Sequence, residues 1–122
     1  MALKGHPAVL AVHHPAARGG SDAALAAQLM PRGIGPMLSI DIRGGRVAAG
    51  RVVRALAGIR LASTLGDVST TVSHPATTSH RHLSAEAREA LGISDGLLRF
   101  SIGIEEEAVL RTELTAALSA GA

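Results

Sequence analysis

Arg99 is the residue whose type and position offer the clearest chemistry in this sequence. Every even-numbered residue from 98 to 104 is apolar, so a strand here would place Arg99 on the face opposite the core. A guanidinium is a planar fork that binds a carboxylate through two hydrogen bonds, and Ser101 would lie beside it on the same face. The spacing leaves two interpretations open, an arginine that binds an anionic ligand or an arginine that faces solvent.

Hydroxyl and imidazole side chains are concentrated between 63 and 82. Turns commonly contain serine and threonine, so these hydroxyls do not by themselves define a site. His74 and His80 are six positions apart, whereas two metal ligands on a helix lie three or four apart. We expect structural or capping roles for the histidines, with metal binding as the less favoured alternative. The histidines are His6, His13, His14, His74, His80 and His82.

Composition argues against several other kinds of site. The chain has no cysteine, which excludes a disulfide framework, a thiolate metal site and a cysteine nucleophile. The glycines at 33–35 and 44–45 do not form a dinucleotide-binding motif, and a Walker lysine is absent. The formal net charge is only +2 and Phe100 is the only aromatic residue, so we do not expect nucleic-acid binding.

Membrane insertion and secretion are not indicated either. No run of residues is long and apolar enough to span a membrane, and the first residues lack the pattern of a signal peptide. We therefore expect a cytoplasmic protein that does not bind membranes.

The elements that position these residues alternate between strands and helices along 122 residues, the size of one domain. Hydrophobic residues make up 47% of the chain, but 23 residues are alanine, so the core is small. We expect a marginally stable domain, or one that needs a partner. Strands are predicted at 9–12, 36–42, 59–61, 68–72 and 97–104, and helices at 23–30, 46–56, 85–91 and 105–118.

Four longer segments form a specific combined pattern, and two shorter ones extend it. The longer segments are LASTLGD at 61–67, SHPATTSH at 73–80, LS-x-EAR at 83–88 and LGISDGLLRFSIGIE at 91–105, and the shorter ones are HPAV at 6–9 and GPMLS at 35–39. Together they resemble the C-terminal domain of the pyridoxal-phosphate (PLP) enzymes of cysteine and methionine metabolism. This family includes cystathionine synthases and lyases, methionine gamma-lyase and O-acylhomoserine sulfhydrylases. The resemblance covers nearly the whole chain.

The resemblance implies a fold and a set of site residues. The implied fold is α+β, an α/β sandwich in which helices pack on one face of a small, mostly antiparallel sheet. Residues 1–122 would form a single C-terminal domain, without the large PLP-binding domain of the family. Arg99 would bind the α-carboxylate of the substrate, and Thr64, Leu65 and Ser79 would be further substrate-binding residues. Thr64 stands where the family usually has serine or asparagine, and Ser79 stands where many members have threonine.

The resemblance also implies what this chain lacks. The family needs a lysine that forms a Schiff base with PLP, and Lys4, the only lysine, lies outside any such context. Tyrosine, which the family uses at the cofactor, is absent. We therefore expect the chain to be inactive alone, and expect its partners to be an amino-acid substrate and either the large PLP domain or the homotetramer of the family.

Substrate and reaction are less defined. The residues Gly66-Asp67 and Thr70-Thr71 slightly favour the sulfhydrylase branch, but elimination, replacement and sulfhydrylation all stay open. The alternatives to an enzyme domain are a free-standing module that binds amino acids through Arg99 and a non-functional gene remnant.

Overall fold

The computed structural model describes residues 2–121. Within that range the strands are β1 (Val9–His13), β2 (Met37–Ile42), β3 (Arg60–Leu61), β4 (Thr71–Ser73) and β5 (Leu97–Ser101). The α-helices are α1 (Pro15–Arg18), α2 (Gly20–Leu29), α3 (Gly45–Ala55), α4 (Ala85–Ala90) and α5 (Glu107–Gly121). Short 3-10 helices cover Ala2–Gly5 and Pro75–Thr77.

The strands form one sheet in the order β1-β2-β5-β4-β3. Three of the four neighbouring pairs are antiparallel, and β3 runs parallel to β4 at one edge. The fold is therefore α+β with a mostly antiparallel sheet, which confirms the fold predicted from the resemblance. Arg99 lies in β5, at the centre of this sheet.

The core lies on one face of the sheet because β2 and β5 alternate between apolar and polar residues. Ile40, Leu98 and Phe100 are all fully buried on that face. Helices α3 and α5 pack against it and contribute further core residues, including Ala49, Val52, Leu114 and Leu118. The opposite face of β5 carries Arg99 and Ser101, as the alternation predicts.

The end of β5 differs from the prediction. The strand ends at Ser101 instead of 104, and the side chain of Ile104 is 84% exposed. Helix α5 begins at Glu107 instead of Glu105, so only the last of the three acidic residues lies in its first turn. The reason is tertiary, because the carboxylate of Glu105 accepts hydrogen bonds from Thr70.

Helix α2 also differs from the prediction. Its predicted apolar stripe, Leu25 and Leu29, is largely exposed, and Ala26 is the buried residue of this helix. The helix starts at Gly20, so Asp22 lies in its first turn and is not the N-cap. Among the described helices, none is both long and apolar enough to cross a membrane.

Residues 67–90, which precede β5, follow the prediction only in part. β4 covers Thr71–Ser73, whereas the predicted strand ran from 68 to 72. The side chain of Asp67 accepts a hydrogen bond from the backbone N–H of Ser69 at 3.1 Å, which turns the chain before the strand can begin. Helix α4 forms as predicted, and the hydroxyl of Ser84 caps it by accepting from the N–H of Ala87 at 3.2 Å.

A buried arginine ties α4 to the turn before β5. Arg88 donates to the carbonyl of Leu83 at 2.7 Å and to the carboxylate of Asp95 at 2.7 Å. Arg46 donates to the same carboxylate at 3.2 Å. These two arginines, Arg88 first, lower the pKa of Asp95.

The pKa of Asp95 makes the stability of the fold sensitive to acid. A lowered pKa in the folded state stabilises the fold above the usual value of 3.8, and this contribution disappears as pH falls toward the folded value. We expect Asp95→Asn to lower the free energy of unfolding by about 1–2 kcal/mol at neutral pH, because it removes the charge that pairs with the buried Arg88. The loss is limited because the half-exposed carboxylate is partly screened by solvent. Urea unfolding at about pH 7 and about pH 3 measures both stabilities. The variant should lose less stability between these values than the natural chain, with the exposed Glu89→Gln as control; an equal loss would contradict the assignment.

Candidate functional site

Arg99 lies at the centre of the polar face of the sheet. Its register partners are Ser39 on β2 and Ser73 on β4, and directly opposite residues in a sheet project from the same face. The side chain is half-buried, and it takes part in none of the ion pairs found among residues 2–121. A partly desolvated guanidinium without a carboxylate partner, flanked by serines, is suited to binding an anionic group.

Two hydroxyl residues extend this polar face beyond Arg99. Thr71 and Ser101 are register partners on β4 and β5, and both are buried. The Oγ of Ser101 accepts a hydrogen bond from the N–H of Gly66 at 3.1 Å. The Oγ1 of Thr71 is buried and has no hydrogen-bond partner among the described residues. A buried hydroxyl without a hydrogen-bond partner destabilises the fold, so the hydroxyl of Thr71 is free to bond to a ligand or an ordered water.

Thr64 and Leu65 lie in the loop that crosses from β3 to β4. The loop turns at Gly66, whose φ of +77° is a conformation that residues with a Cβ rarely adopt. Because the N–H of Gly66 bonds to Ser101, the loop is fixed to the polar face two residues away from Arg99. The side chains of Thr64 and Leu65 are both exposed. The structure thus brings these two predicted residues to the edge of the face that carries Arg99.

The far end of the same loop is held by Glu105. One oxygen of its carboxylate accepts from the N–H of Thr70 at 2.6 Å, and the other accepts from the hydroxyl of Thr70 at 2.8 Å. These two hydrogen bonds, the backbone one first, lower the pKa of Glu105. Sequence reasoning missed this role because three consecutive glutamates suggested the start of a helix. The available signal was that Glu105 closes the motif at 91–105 that carried the resemblance.

Ser79 lies on the segment that continues from β4, the strand beside Arg99. It follows the 3-10 helix after β4, is exposed, and its Oγ lies 2.8 Å from Nδ1 of His80. Nε2 of His74 lies 2.8 Å from the carbonyl oxygen of Asp95, which holds the start of this segment beside β5. Over the part of the chain that is described, no hydrogen bond joins Ser79 to Arg99.

Several histidines make structural hydrogen bonds. Nε2 of His13 lies 2.6 Å from a carboxylate oxygen of Asp41, whose other oxygen accepts from the hydroxyl of Ser94. Nδ1 of His14 accepts from the N–H of Ala16 at 3.2 Å and caps α1. No group of three or more potential metal ligands is found within residues 2–121.

Comparisons with known proteins identify the family. The family model described as Cys/Met metabolism PLP-dependent enzyme matches residues 1–119. O-succinylhomoserine sulfhydrylase of Pseudomonas aeruginosa is 42% identical over 88 residues, and cystathionine gamma-synthase of Escherichia coli is 38% identical over 104 residues. The chain belongs to the Cys/Met metabolism PLP-dependent enzyme family. This confirms the family predicted from the sequence motifs.

Solved structures agree with this assignment. Cystathionine gamma-synthase from Xanthomonas oryzae pv. oryzae, in complex with cystathionine, superposes with a TM-score of 0.87 at 42% identity. The match covers 98% of this chain and 31% of the Xanthomonas chain. Against the two sequence relatives, the matched part is 72% and 85% of this chain but only 22% and 27% of theirs. The chain thus spans less than a third of the length of the family members it matches.

PLP is the cofactor of the family, but residues 2–121 do not form a site for it. Lys4 is the only lysine, and its Nζ donates to the carbonyl of Ala17 at 3.1 Å near the start of the chain. The sequence contains no tyrosine or tryptophan that could stack on the pyridine ring. What this family member presents instead is a face suited to a carboxylate, centred on Arg99.

Proposed function

We propose that this chain is the C-terminal domain, or a truncated form, of a PLP-dependent trans-sulfuration enzyme, and that it supplies the arginine that binds the α-carboxylate of the substrate. The observation that carries the proposal is Arg99, which is half-buried at the centre of a polar sheet face and lacks a carboxylate partner among residues 2–121. The buried Arg88, by contrast, has a structural role and pairs with the carboxylate of Asp95.

Arg99 would act by orientation. Its fork fixes both oxygens of the carboxylate, which restricts rotation of the amino acid and holds the bond to be broken in a reactive geometry. PLP, when bound in the family enzymes, supplies the electron sink for the carbanion chemistry. The contribution of this chain is therefore the position of the substrate, while other parts of the enzyme would provide the cofactor lysine.

Thr64, Leu65 and Ser79 would complete the substrate side of the site. The loop that contains the first two is fixed to the polar face through Gly66 and Ser101, which supports a role close to the ligand of Arg99. Ser79 retains a hydroxyl on the segment that continues from β4, and we propose it as a more peripheral contact. Each of these side chains is uncharged, so it can cover the ligand without forming an ion pair with Arg99 or with the carboxylate.

The substrate class follows from the relatives and from the cationic group. The similar proteins are named for succinylhomoserine sulfhydrylation, cystathionine synthesis and methionine elimination. We propose a sulfur amino acid or an O-acylhomoserine as the substrate, in the cytoplasm. A catalytic partner is required, because the described residues do not hold PLP; the large domain of the family, in a homotetramer, is the proposed one.

A hybrid enzyme tests this function. The matching segment of the Xanthomonas cystathionine gamma-synthase is replaced by this chain, which the alignment covers almost completely. We expect the hybrid enzyme to retain PLP and to convert an O-acylhomoserine, because the large domain would hold the cofactor and this chain would supply the face that carries Arg99. We expect the isolated chain to release PLP on dialysis and to show no turnover.

Two results would contradict the proposal. A folded hybrid enzyme that retains PLP but has no activity would show that this chain cannot supply the substrate side of the site. Calorimetric binding of methionine or cystathionine to the isolated chain, abolished by Arg99→Ala, would instead support a free-standing amino-acid-binding module. Circular dichroism and cofactor absorbance establish that each protein is folded and loaded before kinetics are compared.

A further inference from the structure

The loop from 62 to 70 is attached at two places, first to β5 and then to the segment that follows β5, and the second attachment is the stronger. Near its turn, a single neutral hydrogen bond joins Gly66 to Ser101 at 3.1 Å. At its end, the carboxylate of Glu105 takes both donors of Thr70, at 2.6 and 2.8 Å. Hydrogen bonds to an ionised group are about twice as strong as neutral ones. Glu105 therefore holds the loop more firmly than the turn contact does.

The attachment at Glu105 is a small network and not an isolated contact. The Oγ1 of Thr70, which donates to Glu105, accepts from the N–H of Gly103 at 2.9 Å. The N–H of Ile104 donates to the carbonyl of Val68 at 2.9 Å. Thr70 is fully buried, although Glu105 is exposed. Each bond joins the loop to the segment that leaves β5 just beyond Arg99 and Ser101.

This network explains why the chain does not continue as a strand or begin its last helix at 105. Residues 103–105 contact the loop through Thr70. The carboxylate of Glu105, which the sequence predicted at the start of a helix, therefore binds a residue 35 positions earlier in the chain. Exposed loop residues such as Leu65 have little packing of their own to keep them in place. Their position over the polar face depends on the two ends of the loop.

We propose that Glu105 is a positioning residue for the substrate: by holding Thr70 it fixes the 62–70 loop, and so keeps Thr64 and Leu65 at the edge of the Arg99 face. The inference rests on the proposed function, because the loop positions a substrate only if Arg99 binds one. Glu105 itself touches neither the ligand nor the cofactor in this proposal. Its lowered pKa is consistent with a carboxylate that stays ionised to accept both bonds.

Amide hydrogen exchange on the chain itself tests the attachment without any activity. Glu105→Ala should accelerate exchange at residues 66–70 by about tenfold, because loss of a charge-assisted acceptor lets the loop open locally. Glu105→Gln keeps one acceptor and should have an intermediate effect. Glu106→Ala removes the neighbouring exposed carboxylate and should leave exchange unchanged. Protection in β2 and β5, which pair at the centre of the sheet, reports whether each variant is folded.

Kinetics of the hybrid enzyme test the effect on the substrate. Glu105→Ala should raise KM by about tenfold with a much smaller change in kcat, because the loop contacts the ligand equally before and during reaction. Glu105→Gln should restore part of the affinity, and Glu106→Ala should match the parent. Faster exchange without a change in KM, or a change in KM equal in both alanine variants, would overturn the positioning role. If Arg99→Ala has no effect on the same enzyme, the proposed function itself fails, whatever the exchange data show.

Discussion

In the hybrid enzyme, replacement of Arg99 by alanine is expected to lower kcat/KM for an O-acylhomoserine by about a hundredfold to a thousandfold. The reason is the loss of two charge-assisted hydrogen bonds to one carboxylate, each worth roughly 1.5–2 kcal/mol in a site that is only partly buried. Part of the effect should appear in kcat, because a substrate held by fewer contacts is less well oriented for the bond-breaking step. Steady-state kinetics over a wide range of substrate concentrations measure both parameters.

Two further variants make this result specific to the guanidinium fork. Arg99→Lys keeps the charge but loses the planar pair of donors, so its kcat/KM should lie between those of the parent and the alanine variant. Arg51→Ala removes an exposed arginine on α3, a helix that packs on the face of the sheet opposite Arg99, and should leave the kinetics unchanged. Equal activity of Arg99→Ala and Arg51→Ala would remove Arg99 from the site.

Replacement of Phe100 by alanine is expected to cost roughly 3–5 kcal/mol of unfolding free energy. Phe100 is the only aromatic residue of the chain, is fully buried, and lies in the centre of the core between its β2 and β4 register partners, Leu38 and Val72. Much of the remaining core consists of alanine and valine, which cannot move far enough to fill the cavity. Since domains are stable by only about 5–15 kcal/mol, a large share of the total would be lost.

Ile104→Ala is the matched control for Phe100. The alternation of the sequence places both residues on the same face of one strand, but β5 ends before Ile104 and leaves it 84% exposed. We expect its replacement to change stability by less than about 0.5 kcal/mol. Urea unfolding of the isolated chain, followed by circular dichroism, compares the two. Similar losses for both variants would show that the strand continues to 104 in solution.

The sequence allowed the centre of the sheet to be predicted because its strands alternate cleanly. In β2 and β5 every residue of one face is apolar, and this pattern alone placed Arg99 on the other face. The N-cap of α4 was also predictable, because Ser84 satisfies a backbone donor of its own helix. Both features depend on residues that are close together in the sequence, so a short stretch of sequence is enough to predict them.

The remainder of the fold depends on contacts between distant residues. The parallel pairing of β3 with β4 rests on two residue pairs, and no short pattern specifies it. The carboxylate of Glu105 suits a helix N-terminus equally well by sequence, and only the position of Thr70 decides its use. Leu25 and Leu29 have helical spacing, but the described residues offer no apolar surface against which α2 could bury them.

The sequence was enough to predict Arg99 as the charged residue of the candidate site. It was not enough to predict the hydrogen bonds that hold the surrounding loop. The type and strand position of Arg99 are enough to make anion binding one of the two interpretations of this residue. The roles of Thr64 and Leu65 came from the family resemblance, and the structure adds that their loop is held by Gly66 and Thr70. The unsatisfied hydroxyl of Thr71 could not have been predicted, because it depends on what the sheet and the loop leave uncovered.

The most direct measurement is the discrimination between a carboxylate and its amide. The hybrid enzyme and its Arg99→Ala variant are each given an O-acylhomoserine and the matching α-carboxamide, and kcat/KM is determined for all four combinations. With Arg99 present, we expect the carboxylate to be preferred by about a hundredfold, and without Arg99 we expect the preference to nearly vanish. A variant that retains the full preference would show that another group binds the α-carboxylate and would contradict the function proposed for this chain.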